Sequence, residues 1–200
     1  MYEDGVLTCN VFGHPIPTIH WLKNGVRIPQ SSNTQLGDDF PQYEQNDELS
    51  MYEVGETISN LYLDCVNVSE AGTYTCVAKT RNFTATQVHT VTVEVINVFA
   101  FIWSDRPARI YMWTIDRFEY QHVDTQMYCR AQGIPTPTIS WLDFDNRPIV
   151  SGENYTITTA GDLVIRNPAW LKMGQYTCRA VNRAGNDTRF IFFYPVSATY

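Results

Sequence analysis

Two hundred residues, 18 % charged and 44 % hydrophobic, suit two globular domains of about 100 residues each rather than a disordered chain. The net charge of −7 is lopsided: residues 1–98 hold twelve Asp/Glu against four Lys/Arg, and residues 99–200 hold nine against ten. An acidic first half lacks the basic face that nucleic acid or an anionic membrane surface requires. No apolar run approaches ~18 residues, so the reading includes no transmembrane segment.

The start, Met1-Tyr-Glu-Asp4, is acidic where a signal peptide would be basic, and only eight residues precede Cys9. The start therefore reads as truncated, with room for a strand B but little for a strand A. Val6-Leu-Thr-Cys9 opens that strand, with Leu7, Cys9 and Val11 on one face by period-two alternation. Gly13-His-Pro-Ile-Pro-Thr-Ile-His-Trp-Leu22 follows, and Gly72-Thr-Tyr-Thr-Cys76 answers it downstream. The same series returns as Cys129, Gly133-Ile-Pro-Thr-Pro-Thr-Ile-Ser-Trp-Leu142 and Gly174-Gln-Tyr-Thr-Cys178. In both copies twelve positions separate the first cysteine from the tryptophan. A Cys…Trp…Tyr-x-Cys series is the signature of an immunoglobulin (Ig) sandwich, in which the tryptophan packs on an inter-sheet disulfide. The fold expected is all-β: two tandem Ig-like sandwiches of I-set/C2 type. That frame pairs Cys9 with Cys76 and Cys129 with Cys178, which points to an oxidising compartment.

The two copies differ between strands C and E. Trp21 to Leu61 is 40 positions, whereas Trp141 to Leu163 is 22. The extra residues fall in an acidic insertion, 30–60, with Asp38, Asp39, Glu44, Asp47, Glu48, Glu53 and Glu56 and no Lys or Arg. It reads as a solvated loop, with steering of a cationic partner as the competing role. Strand E is expected at Leu61–Leu63 and strand G at Val91, Val93 and Val95. The boundaries expected are a first domain over 1–98, an apolar junction over 99–108, a second domain over 109–196 and a tail, 197–200.

The junction is unusual for a linker. Phe99, Phe101 and Trp103 alternate with Val98, Ala100 and Ile102, so an extended strand there is apolar on both faces and needs cover on both. This predicts a rigid, packed junction. Phe190-Ile-Phe-Phe-Tyr194 has the same two-faced character, and its outer aromatics need a partner.

Cys65 is left over, with three fates: a partner cysteine in missing sequence, a free thiol, or an intermolecular disulfide that makes a homodimer. Asn67, Asn82, Asn154 and Asn186 begin Asn-x-Ser/Thr sequons, all in expected turns or loops, in keeping with a secretory route. His14, His20, His89 and His122 are scattered, with no metal-ligand spacing. No phosphate loop, nucleophile elbow or desolvated carboxylate pair is present, so neither an enzyme nor a cofactor is expected.

The Gly-x-Pro-x-Pro-x-Ile-x-Trp series resembles I-set domains of neural adhesion molecules and growth-factor receptors. A narrower likeness rests on Arg117-Phe-Glu119, Gly161-Asp-Leu-Val-Ile165, Trp170, Met173-Gly-Gln-Tyr-Thr-Cys178, Asn182, Gly185 and Tyr194-Pro-Val196. Together with the enlarged C–E region of the first domain, these resemble a small secreted two-Ig family. It includes an ecdysone-inducible insect insulin-binding protein and the nematode zwei-Ig proteins. The resemblance implies an extracellular protein that binds an insulin-like peptide and limits its signalling. The alternative is a neuronal adhesion protein that maintains axon position through cell-surface partners. A receptor-ectodomain fragment is a third reading. For hormone binding the candidate residues are Phe99, Phe101, Trp103, Tyr111 and Trp113, then Phe192 and Tyr194. The competing role for each is interdomain core.

Overall fold

The structure is a computed structural model that describes residues 5–31, 54–64, 68–80, 83–92 and 105–197. The junction aromatics Phe99, Phe101 and Trp103, together with Cys65, Asn67, Asn82, Val93 and Val95, lie outside the described residues.

The first sandwich contains β1 (Gly5–Gly13), β2 (Thr18–Lys23), β3 (Val26–Arg27), β4 (Val54–Leu63), β5 (Gly72–Lys79) and β6 (Thr84–Val91). Strand β4 starts seven residues before the expected Leu61. Its alternation explains this: Gly55, Thr57, Ser59, Leu61 and Leu63 are buried, and the residues between them are not. The acidic insertion read for 30–60 therefore ends in a strand, and residues 32–53 of it lie outside the described residues.

The second sandwich contains β7 (Arg106–Tyr120), β8 (Thr125–Met127), β9 (Cys129–Ile134), β10 (Thr138–Leu142), β11 (Tyr155–Ile157), β12 (Leu163–Ile165), β13 (Gly174–Asn182) and β14 (Gly185–Val196). The strand expected at Arg109–Ile115 is thus fifteen residues long.

Each sandwich is closed by its disulfide. Cys9–Cys76 has a Cα–Cα distance of 6.4 Å, and Cys129–Cys178 one of 6.5 Å. Trp21 lies opposite Cys76 across β2 and β5, and Trp141 lies opposite Cys178 across β10 and β13. The indole N–H groups donate to Ser59 Oγ at 3.0 Å and to the Gly161 carbonyl at 2.9 Å. Closing loops of 67 and 49 positions is worth roughly 4 kcal/mol each in the chain-entropy picture.

The tyrosines two before the second cysteines make the same corner twice. Tyr74 donates its hydroxyl to the Glu70 carbonyl, and Tyr176 donates to the Lys172 carbonyl, both at 2.9 Å. In the first sandwich the Glu70 carboxylate also accepts from Tyr74 and from Lys23, each at 3.0 Å. Burial alone would raise the Glu70 carboxyl, but the hydrogen bonds from Lys23 and Tyr74 outweigh it and hold the group below its ordinary value. A lowered folded value gives stability that is present above the unfolded value of 4.5 and is lost as pH falls through the folded value. Glu70→Gln is therefore expected to flatten the loss of stability below that pH, read as denaturation midpoints from pH 7 down to about pH 3. Parallel curves for the two proteins would exclude this source of acid sensitivity.

The two sandwiches share one sheet. A seven-stranded sheet runs β1-β4-β7-β14-β13-β10, with β9 also on β7, and so crosses from the first sandwich into the second. Strand β7 pairs antiparallel with β4, from Val54↔Phe118 to Ser59↔Met112. It also pairs antiparallel with β9 and parallel with β14. Two smaller sheets, β3-β2-β5-β6 and β11-β12-β8, cover the two cores.

The cores interpenetrate at the shared strand. Tyr111, Met112 and Tyr128 belong by sequence to the second half, yet they are buried with Leu61, Leu63 and Trp21 in the first core. Ile58 of the first half packs against the second core, beside its cross-strand neighbour Trp113. Polar ties add to this. Tyr62 donates to the Ile110 carbonyl at 3.2 Å, and Arg109 pairs with Asp64 while lying 5.1 Å over the Tyr62 ring.

Candidate functional site

Directly opposed residues of neighbouring strands lie on the same face of a sheet, and alternate residues of one strand do too. The registers therefore trace one outward face across both sandwiches. Phe12 opposes Glu56 on β4, and Val54, two residues before Glu56, opposes Phe118 on β7. Phe118 in turn opposes Tyr194 on β14, with ring centroids 5.9 Å apart. Phe192 and Phe190 share the face of Tyr194 by alternation, and they oppose Gln175 and Thr177 on β13. Trp170, on a single 3-10 turn before β13, stacks edge-on against Tyr194 at 5.4 Å.

The opposite side of each strand faces a core. Ile191 and Phe193 are fully buried and alternate with the exposed Phe190 (59 %) and Phe192 (40 %). Arg117 and Glu119 flank Phe118 and turn inward, where they form a buried ion pair at 3.1 Å. The Arg-Phe-Glu run thus alternates between a structural pair and an outward ring.

At the far edge of the face Phe12 is 66 % exposed. It lies three strand spacings from β14, or about 14 Å at ~4.8 Å per strand. The outward surface of the joined sheet is consequently rich in aromatic rings, with Asp116 directly opposite Phe192, Glu56 between Phe12 and Phe118, and Gln175 and Arg179 on β13. Natural sheets rarely leave so many large rings on a wet face without a use for them.

The candidates from sequence fall into three groups. Tyr111 (3 % exposed) and Trp113 (9 %) require correction as ligand-facing residues. The Tyr111 ring fills the first core. Trp113 fills the second core, with the Arg189 guanidinium 4.5 Å over its ring, which leaves neither a surface to offer a ligand. Phe192 and Tyr194 sit on the outward face. Phe99, Phe101 and Trp103 are outside the described residues. Of the aromatics that sequence reasoning did not select, Phe12 joins the face through the shared sheet, Phe118 through the pairing of β7 with β14, and Trp170 through its edge contact with Tyr194. The signal for Phe190 was present in the alternation of Phe190–Tyr194.

A second feature is an open cleft of about 910 Å³ between the sandwiches, lined by Lys23, Glu70, Asp64, Arg106 and Arg109 among others. Its charged groups are committed to one another: Lys23 to Glu70 at 3.0 Å, and Asp64 to both arginines. It is less suited to a partner than the aromatic face. Among the described residues no group of three His, Cys, Asp or Glu could hold a metal ion, and no helix is long and apolar enough to cross a membrane.

Two disulfide-bridged sandwiches, each with its core tryptophan and tyrosine corner, define a tandem immunoglobulin protein. The immunoglobulin domain model matches residues 2–80, and the immunoglobulin I-set domain model matches residues 121–192. The chain belongs to the two-Ig family that includes the neural/ectodermal development factor IMP-L2 of Drosophila melanogaster and the Zwei Ig domain proteins of Caenorhabditis elegans. It is 31 % identical to the Drosophila protein over 199 residues, covering 95 % of this chain and 69 % of that protein. It is 29 % identical to Zwei Ig domain protein zig-4 over 192 residues, covering 96 % of this chain and 73 % of the relative. The crystal structure of IMP-L2 superposes with a TM-score of 0.74 at 26 % identity, covering 98 % of this chain and 87 % of the other.

Proposed function

We propose that this chain is a secreted binding protein that takes an insulin-like peptide on the outward aromatic face and thereby limits its signalling. The observation that carries the reading is the exposed pair Phe190 and Phe192, set among Tyr194, Phe118 and Trp170 on a sheet common to both sandwiches. Protein interfaces concentrate their binding energy in a few aromatic anchors, and this face supplies such anchors, with the carboxylates of Asp116 and Glu56 set among them. Insulin-like peptides are small and present apolar surface, and a rigid sheet receives such a ligand without ordering loops. The family resemblance supports the same class of ligand.

The test is titration of the purified protein with a panel of insulin-like peptides by calorimetry. Wild type is expected to bind below micromolar. Phe190→Ser with Phe192→Ser is expected to weaken binding at least about tenfold, or ~1.4 kcal/mol, with the fold retained and the melting temperature lowered only modestly, because each ring is only partly covered. Equal binding by the variant would move the site elsewhere. No binding by a folded wild type would overturn the hormone reading. The neural name of the Drosophila relative supports the second reading, an extracellular neuronal adhesion protein that maintains axon position through cell-surface partners. Capture of a neuronal surface receptor in the absence of hormone would favour it.

A further inference from the structure

The aromatic face has a boundary written into β14. Its outward positions are Asn186, Thr188, Phe190, Phe192 and Tyr194, so the asparagine and threonine of the sequon Asn186-Asp187-Thr188 stand on the same side as the exposed rings. Asn186 is exposed and lies directly opposite Val181, itself 43 % exposed, on β13. The orientation is held from behind. The Asp187 carboxylate accepts from the Ile110 amide at 2.8 Å and pairs with Arg189, both on the inward side. Four residues of strand, about 13 Å, separate Asn186 from Phe190. Asn154 precedes β11, which belongs to the other layer and not to the sheet that carries Phe190 and Phe192.

We infer that Asn186 carries an N-linked oligosaccharide that walls off the Val181 end of the aromatic face, and that its occupancy sets the size of partner the face admits. This rests on the reading of the aromatic face as the binding surface. The modification forms a bond between Asn186 Nδ2 and the anomeric carbon of an oligosaccharide carried on a lipid pyrophosphate. The anomeric C–O bond to the pyrophosphate breaks, the lipid pyrophosphate departs with the electron pair, and the amide loses one proton. A bulky, hydrated chain at this point covers Val181 and reaches over Phe190. It leaves Tyr194, Phe118 and Phe12 open, so a partner must enter from the first sandwich's side.

The first test needs no hormone. Full-length protein secreted from eukaryotic cells is analysed by glycopeptide mass spectrometry, then by hydroxyl-radical footprinting alongside Asn186→Gln and Thr188→Ala. Occupied Asn186 is expected, with labelling of Val181 and Phe190 rising about threefold in both variants while Phe12 is unchanged. An unoccupied Asn186, or equal labelling in all three proteins, would overturn the inference. The second test uses insulin free and insulin fused to a large inert carrier. Loss of the glycan is expected to improve binding of the fusion about tenfold and of free insulin less than about threefold. Equal gains would overturn the size limit. Failure of both probes to bind any form would instead count against the hormone reading and leave the footprinting result standing.

Discussion

Asp162→Asn is expected to destabilise the protein by about 3–5 kcal/mol, the range for leaving a buried charge without its counter-ion. The Asp162 and Arg130 side chains are 1 % and 4 % exposed. The carboxylate accepts from Arg130 Nη2 at 2.9 Å and Nε at 3.2 Å, from Gln126 Nε2 at 3.0 Å and from the Cys129 amide at 3.0 Å. Burial disfavours the Arg130 charge, and the neighbouring Asp162 more than compensates, so the guanidinium stays ionised. The asparagine removes the compensating charge and turns an NH₂ toward the guanidinium. The cost should spread into the first sandwich, because Arg130 lies 5.5 Å over the ring of Tyr128, a residue of the first core. Arg130→Met combined with Asp162→Asn should recover part of the loss, since no unpaired charge then remains. Denaturation midpoints measure this, and a loss below about 1 kcal/mol for the single variant would show that the pair is not desolvated in solution.

Gly55→Ala should cost about 2–3 kcal/mol, at the upper end of overpacking penalties, and should uncouple the two sandwiches. A Cβ built at Gly55 lies 2.7 Å from the Asp116 carbonyl oxygen and 2.8 Å from Ile16 Cδ1. The first atom is backbone of β7 and cannot rotate away. Gly55 sits where the β4–β7 register shifts, so the two strands have no slack there. Relief requires β4 and β7 to part, which breaks the only backbone ladder between the sandwiches among the described residues. Wild type is expected to melt in one calorimetric transition, because its cores exchange Tyr111, Met112, Tyr128 and Ile58. The variant should show two. A single transition at an unchanged temperature would mean that the joined sheet does not couple the sandwiches.

Much of this protein is legible in its residues. The repeated Cys…Trp…Tyr-x-Cys spacing carries the sandwich twice, because a disulfide, an indole and a tyrosine corner must meet at set strand positions. The alternation of Leu7, Cys9 and Val11 and that of Phe190–Tyr194 carry the faces of their strands, since a period of two is a local property of extended backbone. Strand β7, which follows the junction region, turns rings to both of its faces in a way that spacing could not specify. Its rings serve two different cores, so Tyr111 and Trp113 have the composition of a binding surface and the burial of a core.

What the tertiary structure decided is the pairing of β7 with β4. Strand pairing between residues about sixty positions apart leaves no local pattern, because any extended segment offers the same row of amide and carbonyl groups. That one pairing moves Tyr111 and Trp113 out of the candidate site. It brings Phe12 onto the face where the pairing of β7 with β14 sets Phe118 beside Tyr194 and Trp170 stacks on the same ring. The sequence alone determined the two folding units and their disulfides; the non-local register of one shared strand determined the surface they present together.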